Sequence, residues 1–312
     1  MNYYNYDIII VGGGPIGAST VYFLSSNKQS QKIALLRPEP LNEDPYHIAT
    51  YLYAGGSIRS YFENLEIKEA TTKTINFIKK LKEENVDLSL IEDYYCFLNK
   101  GVMVPSVNIS GSKLINYFLS KSKENGIDIF DETFLEEIIE EKDRVILKTN
   151  QGEFQAKKVL LALGYSLNKF LPEADFKFKK RQLFVLDIKL KEEQKNFPHL
   201  IFLFKGGIVY LFVKNINNEY KFVLGQEDII EENEEFKEDN YFEKLINMGL
   251  LEILPFLEGV KAEKILWGFD AENKTLKIFN KGEKIIAACC GSALRSCVCI
   301  GEKLYNIIQR GL

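Results

Sequence analysis

The chain has 312 residues, of which 46% are hydrophobic and 27% charged, so it is long enough to form two sub-domains that each bury a core. Its 40 basic residues are balanced by 44 acidic ones, and no basic block is interleaved with aromatic residues, which argues against nucleic acid as a partner. The longest uncharged stretch, 8–27, contains glycines and a proline and follows Asp7, unlike a membrane span or a signal sequence. We therefore expect a soluble cytoplasmic protein without a transmembrane segment.

The first motif is a glycine-rich turn between a strand and a helix. Four apolar residues, 8–11, lead into Gly12-x-Gly14-x-x-Gly17, and a helical pattern covers 18–25. Gly12 permits the tight turn, Gly14 lets the backbone approach a pyrophosphate, and Gly17 lets the helix pack closely on the strand. With Pro15 and Ile16 at the helix start, the turn predicts a dinucleotide site at the positive end of the helix dipole.

The second strand, 32–36, ends without the expected acid. A dinucleotide site should have a ribose-binding Asp or Glu at this strand end, about twenty residues past the glycines, and Arg37 stands there. Three alternatives remain open: Glu39 binds the ribose, the ribose contact is lost, or Arg37 faces a 2′-phosphate as in NADP sites.

A turn-rich segment then leads to a helix predicted over 65–84. Gly55 and Gly56 indicate a close approach of the backbone to a flat partner, and Arg59 follows three residues later. The alternative for Arg59 is a solvated arginine at a helix entrance.

The middle of the chain alternates further strands and helices. A second amphipathic helix is predicted within 107–126, closed by Gly126, followed by strands near 127–130, 134–138, 145–148, 153–155 and an apolar strand at 158–163. Residues 176–264 change character, because strands at 183–190, 207–214 and 220–225 alternate with turns and predict a mostly antiparallel sheet. An acidic stretch, 227–239, is predicted to be a solvated loop.

Near the C-terminus, a strand at 284–288 enters a turn and a last helix that is predicted to run to Ile308. Arg295 lies at the start of this helix, where a cation opposes the helix dipole, and the alternative to a site residue is an arginine in solvent. Four of the five cysteines cluster here. We expect neither a disulfide framework nor a metal site from them, but small buried apolar side chains. The five are Cys96, Cys289, Cys290, Cys297 and Cys299.

Several of these segments together resemble one enzyme superfamily. The opening 7–19, Ala54 to Arg59, the strand end at 158–166, the entry strand 180–187 and the turn 289–296 are similar to those of FAD-dependent amine and amino-acid oxidoreductases of the D-amino-acid oxidase and sarcosine oxidase superfamily. The resemblance covers the whole chain. It implies an α/β (α+β) fold with a Rossmann-like FAD-binding domain (1–82, 106–175 and 265–312). A discontinuous substrate domain (83–105 and 176–264) would be built on the mostly antiparallel sheet.

The resemblance also assigns site residues. It places a backbone contact to adenine near Leu135 and a strand end, Ala162 to Gly164, beside the pyrophosphate. The turn that faces the flavin ring would contain Gly291, Ser292, Ala293 and Leu294, although relatives have glycines where Ala288 and Ala293 stand. Arg59 and Arg295 would act at the catalytic site, facing the flavin or the substrate, with Arg295 holding the substrate carboxylate through its planar fork.

Two further positions bear on the mechanism. Relatives with covalent flavin have a cysteine where Trp267 stands, so the resemblance implies noncovalent FAD. Oxidases of the sarcosine type have an oxygen-activating lysine at the position of Val223, and Lys221 is expected on the same strand face. The replacement of that lysine by Val223 favours a dehydrogenase over an oxidase. His47 and His199 are the two histidines. Amine oxidation suits this scarcity, because the nitrogen lone pair allows hydride loss to flavin N5 without a dedicated base.

We therefore predict a FAD-dependent oxidoreductase acting on the CH–NH group of a small amine or amino acid. The electron acceptor stays open, as does a partner subunit or a homo-oligomer. Three alternatives remain: a non-catalytic scaffold or assembly factor on the same fold, an NADPH-linked flavoprotein, and a 2-hydroxy-acid dehydrogenase.

Overall fold

A computed structural model describes residues 3–27, 30–38, 56–59, 62, 64–98, 101–204, 207–216, 219–227, 241–291 and 293–310. Three predicted site residues, Glu39, Gly55 and Ser292, lie outside these ranges, as does almost all of the predicted acidic loop 227–239.

The strands of the described part are β1 (Tyr3–Val11), β2 (Ile33–Leu36), β3 (Ser57–Arg59), β4 (Ile91–Leu98), β5 (Val102–Asn108), β6 (Asp128–Phe130), β7 (Leu135–Glu140), β8 (Val145–Thr149), β9 (Gly152–Leu161), β10 (Phe178–Lys189), β11 (His199–Phe204), β12 (Gly207–Ile216), β13 (Glu219–Glu227), β14 (Ala262–Ala271), β15 (Lys277–Lys281) and β16 (Ile285–Cys289). Its helices are α1 (Pro15–Ser26), α2 (Leu65–Glu83), α3 (Gly111–Glu124), α4 (Leu167–Phe170), α5 (Tyr241–Leu245), α6 (Leu251–Ile253) and α7 (Ala293–Arg310).

The first sheet has the order β15-β16-β9-β1-β2-β6, and β8 and β7 extend it from β9. Strands β16, β9, β1, β2 and β6 are parallel. Parallel strands are buried on both faces, and β1 follows this rule. Ile8 and Ile10 pack into the core beneath the helices, whereas Ile9 and Val11 pack into a second core on the opposite face.

Helices α1, α2, α3 and α7 lie over one face of this sheet. Leu114 and Phe118 of α3 and Leu304 of α7 belong to the same core as Ile8 and Ile10. Gly301 of α7 lies so close to α1 that a Cβ there would meet the backbone carbon of Ser19 at 2.7 Å. The lack of a side chain at Gly301 therefore sets how closely the two helices pack.

The second sheet has the order β14-β10-β13-β12-β11-β4-β5-β3. Its strand pairs are antiparallel, except that β11 and β4 are parallel. This pairing confirms the mostly antiparallel sheet predicted from sequence. Leu211 and Val213 of β12 face a core that also contains Leu245, Leu250 and Leu254 from the helical segment after β13. The opposite face carries Tyr210 and Phe212.

The predicted fold class is confirmed, since a parallel Rossmann-like sheet and a mostly antiparallel sheet are both present. The predicted division of the chain into domains stays a prediction. Strand β3 and most of β14 come from segments predicted to belong to the FAD-binding domain, yet both strands pair in the second sheet. None of the helices in the described part is long and apolar enough to span a membrane.

Candidate active site

The glycine turn between β1 and α1 is tightly packed. Gly12 has φ +111°, and a Cβ there would lie 2.3 Å from the carbonyl oxygen of Ala162. A Cβ at Gly17 would lie 1.9 Å from the carbonyl oxygen of Gly12. The Ala162 N–H donates to the Val11 carbonyl at 2.8 Å. The structure therefore brings Ala162 next to the turn, as expected, and gives Gly12 and Gly17 a packing reason to lack side chains.

The start of α1 has the features of an anion site. Gly14 is its N-cap residue and provides no side-chain cap, Pro15 follows it, and the first turn of this fully described helix has no acidic residue. By contrast, the side chain of Asn64 caps α2 and that of Ser110 caps α3. The uncapped N–H groups and the helix dipole of α1 favour a bound anion such as a pyrophosphate.

Arg37 lies at the end of β2, beside this turn. Its side chain is only 3% exposed, and its Nε is 3.1 Å from Oδ1 of Asp131. Asp131 follows β6, the neighbouring strand in the sheet. Arg37 is thus an internal partner of a carboxylate, which weakens the alternative that it faces a 2′-phosphate.

The two predicted catalytic arginines lie on different elements but meet at one ring. Arg59 is the last residue of β3, and its Cζ is 4.7 Å from the centroid of the Phe62 ring. Arg295, in the first turn of α7, has its Cζ 5.3 Å from the same centroid. Two guanidinium groups beside one aromatic ring form a positively charged site suited to a carboxylate.

His199, a residue that the sequence did not single out for a role, belongs to the same site. It begins β11, and its ring is 5.4 Å from that of Phe212 and 6.1 Å from that of Tyr210. Both ring nitrogens are buried and have no hydrogen-bond partner among the described residues. Burial, together with the charges of Arg59 and Arg295, lowers the pKa of His199 to about 3, so the ring is neutral at physiological pH.

Two lysines, Lys214 and Lys221, lie on the same face of the second sheet as Phe212 and differ in their surroundings. Val223 is buried opposite Phe212, as an apolar residue should be, but Lys221 forms ion pairs with Glu263 at 2.8 Å and Glu219 at 3.4 Å. Lys214, the cross-strand neighbour of Lys221, is the lysine whose pKa burial lowers, to about 7. No local sequence pattern indicated Lys214, because its burial depends on neighbouring strands.

Two predicted site glycines also have packing roles within the chain. A Cβ at Gly56 would meet the Ile109 carbonyl oxygen at 1.9 Å, and one at Gly291 would meet the Ala271 carbonyl oxygen at 2.0 Å. The Gly291 N–H donates to the Asn273 carbonyl at 2.8 Å, so it is already engaged within the protein. The chain's own backbone thus already lies close to both glycines, and a flavin contact by either residue stays a prediction.

The other predicted cofactor contacts lie at element boundaries. Gly164 has φ +57° with open space around it, and Leu135 starts β7 with its side chain in a core. Ala293 starts α7, whereas Leu294 points into the helix-covered core, as does Ile16. Their contacts with a cofactor stay predictions.

Three of the four C-terminal cysteines are structural in character. Cys289, Cys290 and Cys297 are buried thiols, and burial raises the pKa of Cys289 and Cys297 to about 12. Such thiols are poor nucleophiles and poor metal ligands. Among the residues that the structure describes, no group of three or more His, Cys, Asp or Glu side chains is placed to hold a metal ion.

Comparison with known proteins gives a result at the level of structure. No family model and no curated protein matches the chain. Among solved structures, L-proline dehydrogenase from P. horikoshii is similar, with a TM-score of 0.76 and 17% identity over 99% of this chain and 95% of that one. Glycine oxidase from Bacillus cereus ATCC 14579 has a TM-score of 0.73 and 17% identity over 98% and 96%. Iminodiacetate oxidase from Chelativorans sp. BNC1 has a TM-score of 0.70 and 11% identity over 97% and 95%.

The chain has the fold of these amino-acid oxidoreductases. The match extends over nearly the whole length of each protein, which confirms the resemblance seen in sequence at the level of the fold.

Proposed function

We propose that the protein is an oxidoreductase that binds FAD noncovalently and oxidises a small amine or amino acid. The fold supports this proposal, and so does the fit of the glycine turn to a dinucleotide. Gly12 and Gly17 permit the close packing of strand and helix, and the uncapped start of α1 offers N–H groups to a pyrophosphate.

The observation that carries the proposed substrate class is the convergence of Arg59 and Arg295 on Phe62. A planar guanidinium binds a carboxylate through two parallel hydrogen bonds, and such charged hydrogen bonds contribute about 1.5–3 kcal/mol each. The arginines would hold the carboxylate of an amino acid. His199, Tyr210 and Phe212 would form an apolar wall that restricts the orientation of the substrate and excludes water.

Held by the glycine turn of Gly12, Gly14 and Gly17, FAD would supply a hydride acceptor for the carbon next to the amine nitrogen. A neutral amine needs no catalytic base for this step, because the nitrogen lone pair stabilises the cation that remains. His199 has a pKa of about 3 and is therefore a weak base in this site, which favours an amine over a 2-hydroxy acid as substrate.

The experiment that tests the proposal is an anaerobic absorbance titration of the purified protein. It uses amino acids, N-methylamino acids, 2-hydroxy acids and NADPH in parallel. The proposal expects bound flavin that is bleached by an amine. Bleaching by NADPH or by a 2-hydroxy acid alone would select one of the other flavoprotein classes, and absence of flavin after addition of FAD would favour a non-catalytic scaffold.

Within this proposal we favour a dehydrogenase over an oxidase. Val223 provides no cation, and Lys221 is engaged by two glutamates. We expect the amine-reduced flavin to be reoxidised faster by an artificial acceptor such as a quinone than by oxygen. Fast reoxidation by oxygen that is lost in Lys214→Met would instead assign oxygen activation to Lys214.

A further inference from the structure

The carboxyl ends of β2 and β6 form a polar corner beside the glycine turn. Strand β2 lies between β1 and β6 and is parallel to both, so all three strands end at the same edge of the sheet. The Arg37 N–H donates to the Phe130 carbonyl at 3.0 Å, and the Thr133 N–H donates to the Arg37 carbonyl at 2.9 Å. The Gly12 N–H donates to the Leu36 carbonyl at 2.8 Å. Backbone hydrogen bonds therefore fix this corner relative to the turn.

The polar side chains of this corner are incompletely paired. The 3.1 Å contact between Arg37 Nε and Asp131 Oδ1 lacks the alignment of a hydrogen bond, and Arg37 Nη1 is buried without an acceptor among the described residues. A buried donor without an acceptor costs about 1–3 kcal/mol, and more for a charged group. A further polar group is therefore needed to complete this corner.

Asp131 remains accessible from outside. Its Oδ1 is buried against Arg37, whereas the side chain as a whole is 38% exposed. A carboxylate in this position can accept a hydrogen bond from a ligand while the guanidinium beside it limits its rotation.

We propose that Asp131 is the carboxylate that binds the adenosine ribose, and that Arg37 is its positioning residue. This inference depends on the proposed function, namely that the chain binds FAD. A ribose diol offers both partners that the corner needs. Its hydroxyl groups can donate hydrogen bonds to Asp131, and its oxygens can accept hydrogen bonds from Arg37. The acid usually found at the end of the second strand is thus replaced by one at the end of the neighbouring strand.

The other ribose partners named from sequence are less well supported. A 2′-phosphate at Arg37 would be repelled by Asp131. Glu39 lies outside the described residues, so it is an alternative for experiment to test.

The experiment is calorimetric titration of flavin-free protein with FAD and with its 2′-deoxyadenosine analogue. Wild type is expected to bind the analogue at least about tenfold more weakly than FAD, as loss of a charged hydrogen bond predicts. The quantity compared between variants is the ratio of the two dissociation constants, analogue to FAD. Asp131→Ala should reduce that ratio to near one, whereas Glu39→Gln and the exposed control Asp143→Asn should retain it. Because each ratio is measured within one variant, a smaller folded fraction does not change it.

A second variant covers the risk that Asp131→Ala leaves Arg37 buried and unpaired. Arg37→Leu combined with Asp131→Ala removes both charges and should also give a ratio near one. The assignment would be overturned by a ratio near one in wild type or by an unchanged ratio in both Asp131 variants. It would also be overturned if Glu39→Gln reduced the ratio to near one, or if wild type bound a 2′-phosphorylated dinucleotide more tightly than FAD. Wild-type protein that binds neither compound would instead refute the proposed function.

Discussion

Arg295 lies in the first turn of α7, where its charge opposes the helix dipole. If it binds the substrate carboxylate, Arg295→Ala should raise KM for a carboxylate substrate at least about tenfold, as loss of a charged hydrogen bond predicts. Steady-state kinetics with the amine identified by titration would measure this. Arg310→Ala, at the exposed end of the same helix, is the matched control. An unchanged KM in Arg295→Ala would remove Arg295 from the site.

His199 predicts a specific loss of stability in acid. Unfolded histidine takes up a proton below its ordinary pKa of 6.5, but the folded ring resists protonation down to about 3. The unfolded state therefore binds more protons between these values, and stability falls as pH decreases through this range. Between pH 7 and pH 5 the loss from this residue amounts to about 2 kcal/mol. Urea unfolding of wild type and His199→Phe at both pH values measures it, and equal losses in the two proteins would contradict the prediction.

Sequence patterns anticipated some of these residues and not others. Arg59 and Arg295 stood out because each follows a glycine-containing turn near the start of a helix, and the structure brings them to one ring. His199 begins an ordinary apolar strand, and its burial arises from Tyr210 and Phe212 on the neighbouring strand. The partner of Arg37 was equally hidden, because Asp131 follows a sequence-distant strand, β6, that meets β2 only in the folded sheet.

Two glycines allow close packing on different sides of α1. Gly17 faces the turn, and Gly301 of α7 faces Ser19 of α1. A methyl group at either position is overpacked, which typically costs about 1–3 kcal/mol. We expect both Gly17→Ala and Gly301→Ala to lower the free energy of unfolding, but only Gly17→Ala to weaken FAD binding, since it displaces the phosphate-facing end of α1. Denaturant unfolding and FAD titration of both variants test this, and equal FAD affinities would contradict it.

Helices with clear end signals were predicted best from sequence. The helix expected over 65–84 is observed as Leu65–Glu83 with Asn64 as its cap. The strand β9 was expected as two separate pieces, because its pattern changes along its length. Its first half, 152–156, pairs with β8 and alternates in burial, whereas 158–161 lies between β1 and β16 and is wholly buried. Local patterns cannot show that one strand continues through both environments.

For the whole molecule, the two sheets contribute different halves of the proposed site. The first sheet presents the glycine turn and the Arg37–Asp131 corner, and the second sheet presents Arg59 and His199. Fold class could be predicted from sequence because apolar runs distinguish a parallel sheet from an antiparallel one. The placement of β3 and β14 in the second sheet could not, since strand pairing between distant segments leaves no local pattern.

The proposed substrate is an amino acid whose carboxylate is held by Arg59 and Arg295. The most direct measurement is the anaerobic rate of flavin bleaching by an amino acid and by the same amine without its carboxylate. At equal subsaturating concentrations, we expect the amino acid to bleach the flavin at least about tenfold faster, because loss of a charged hydrogen bond weakens binding by that amount. Equal rates, or flavin that no amine reduces, would contradict the claim.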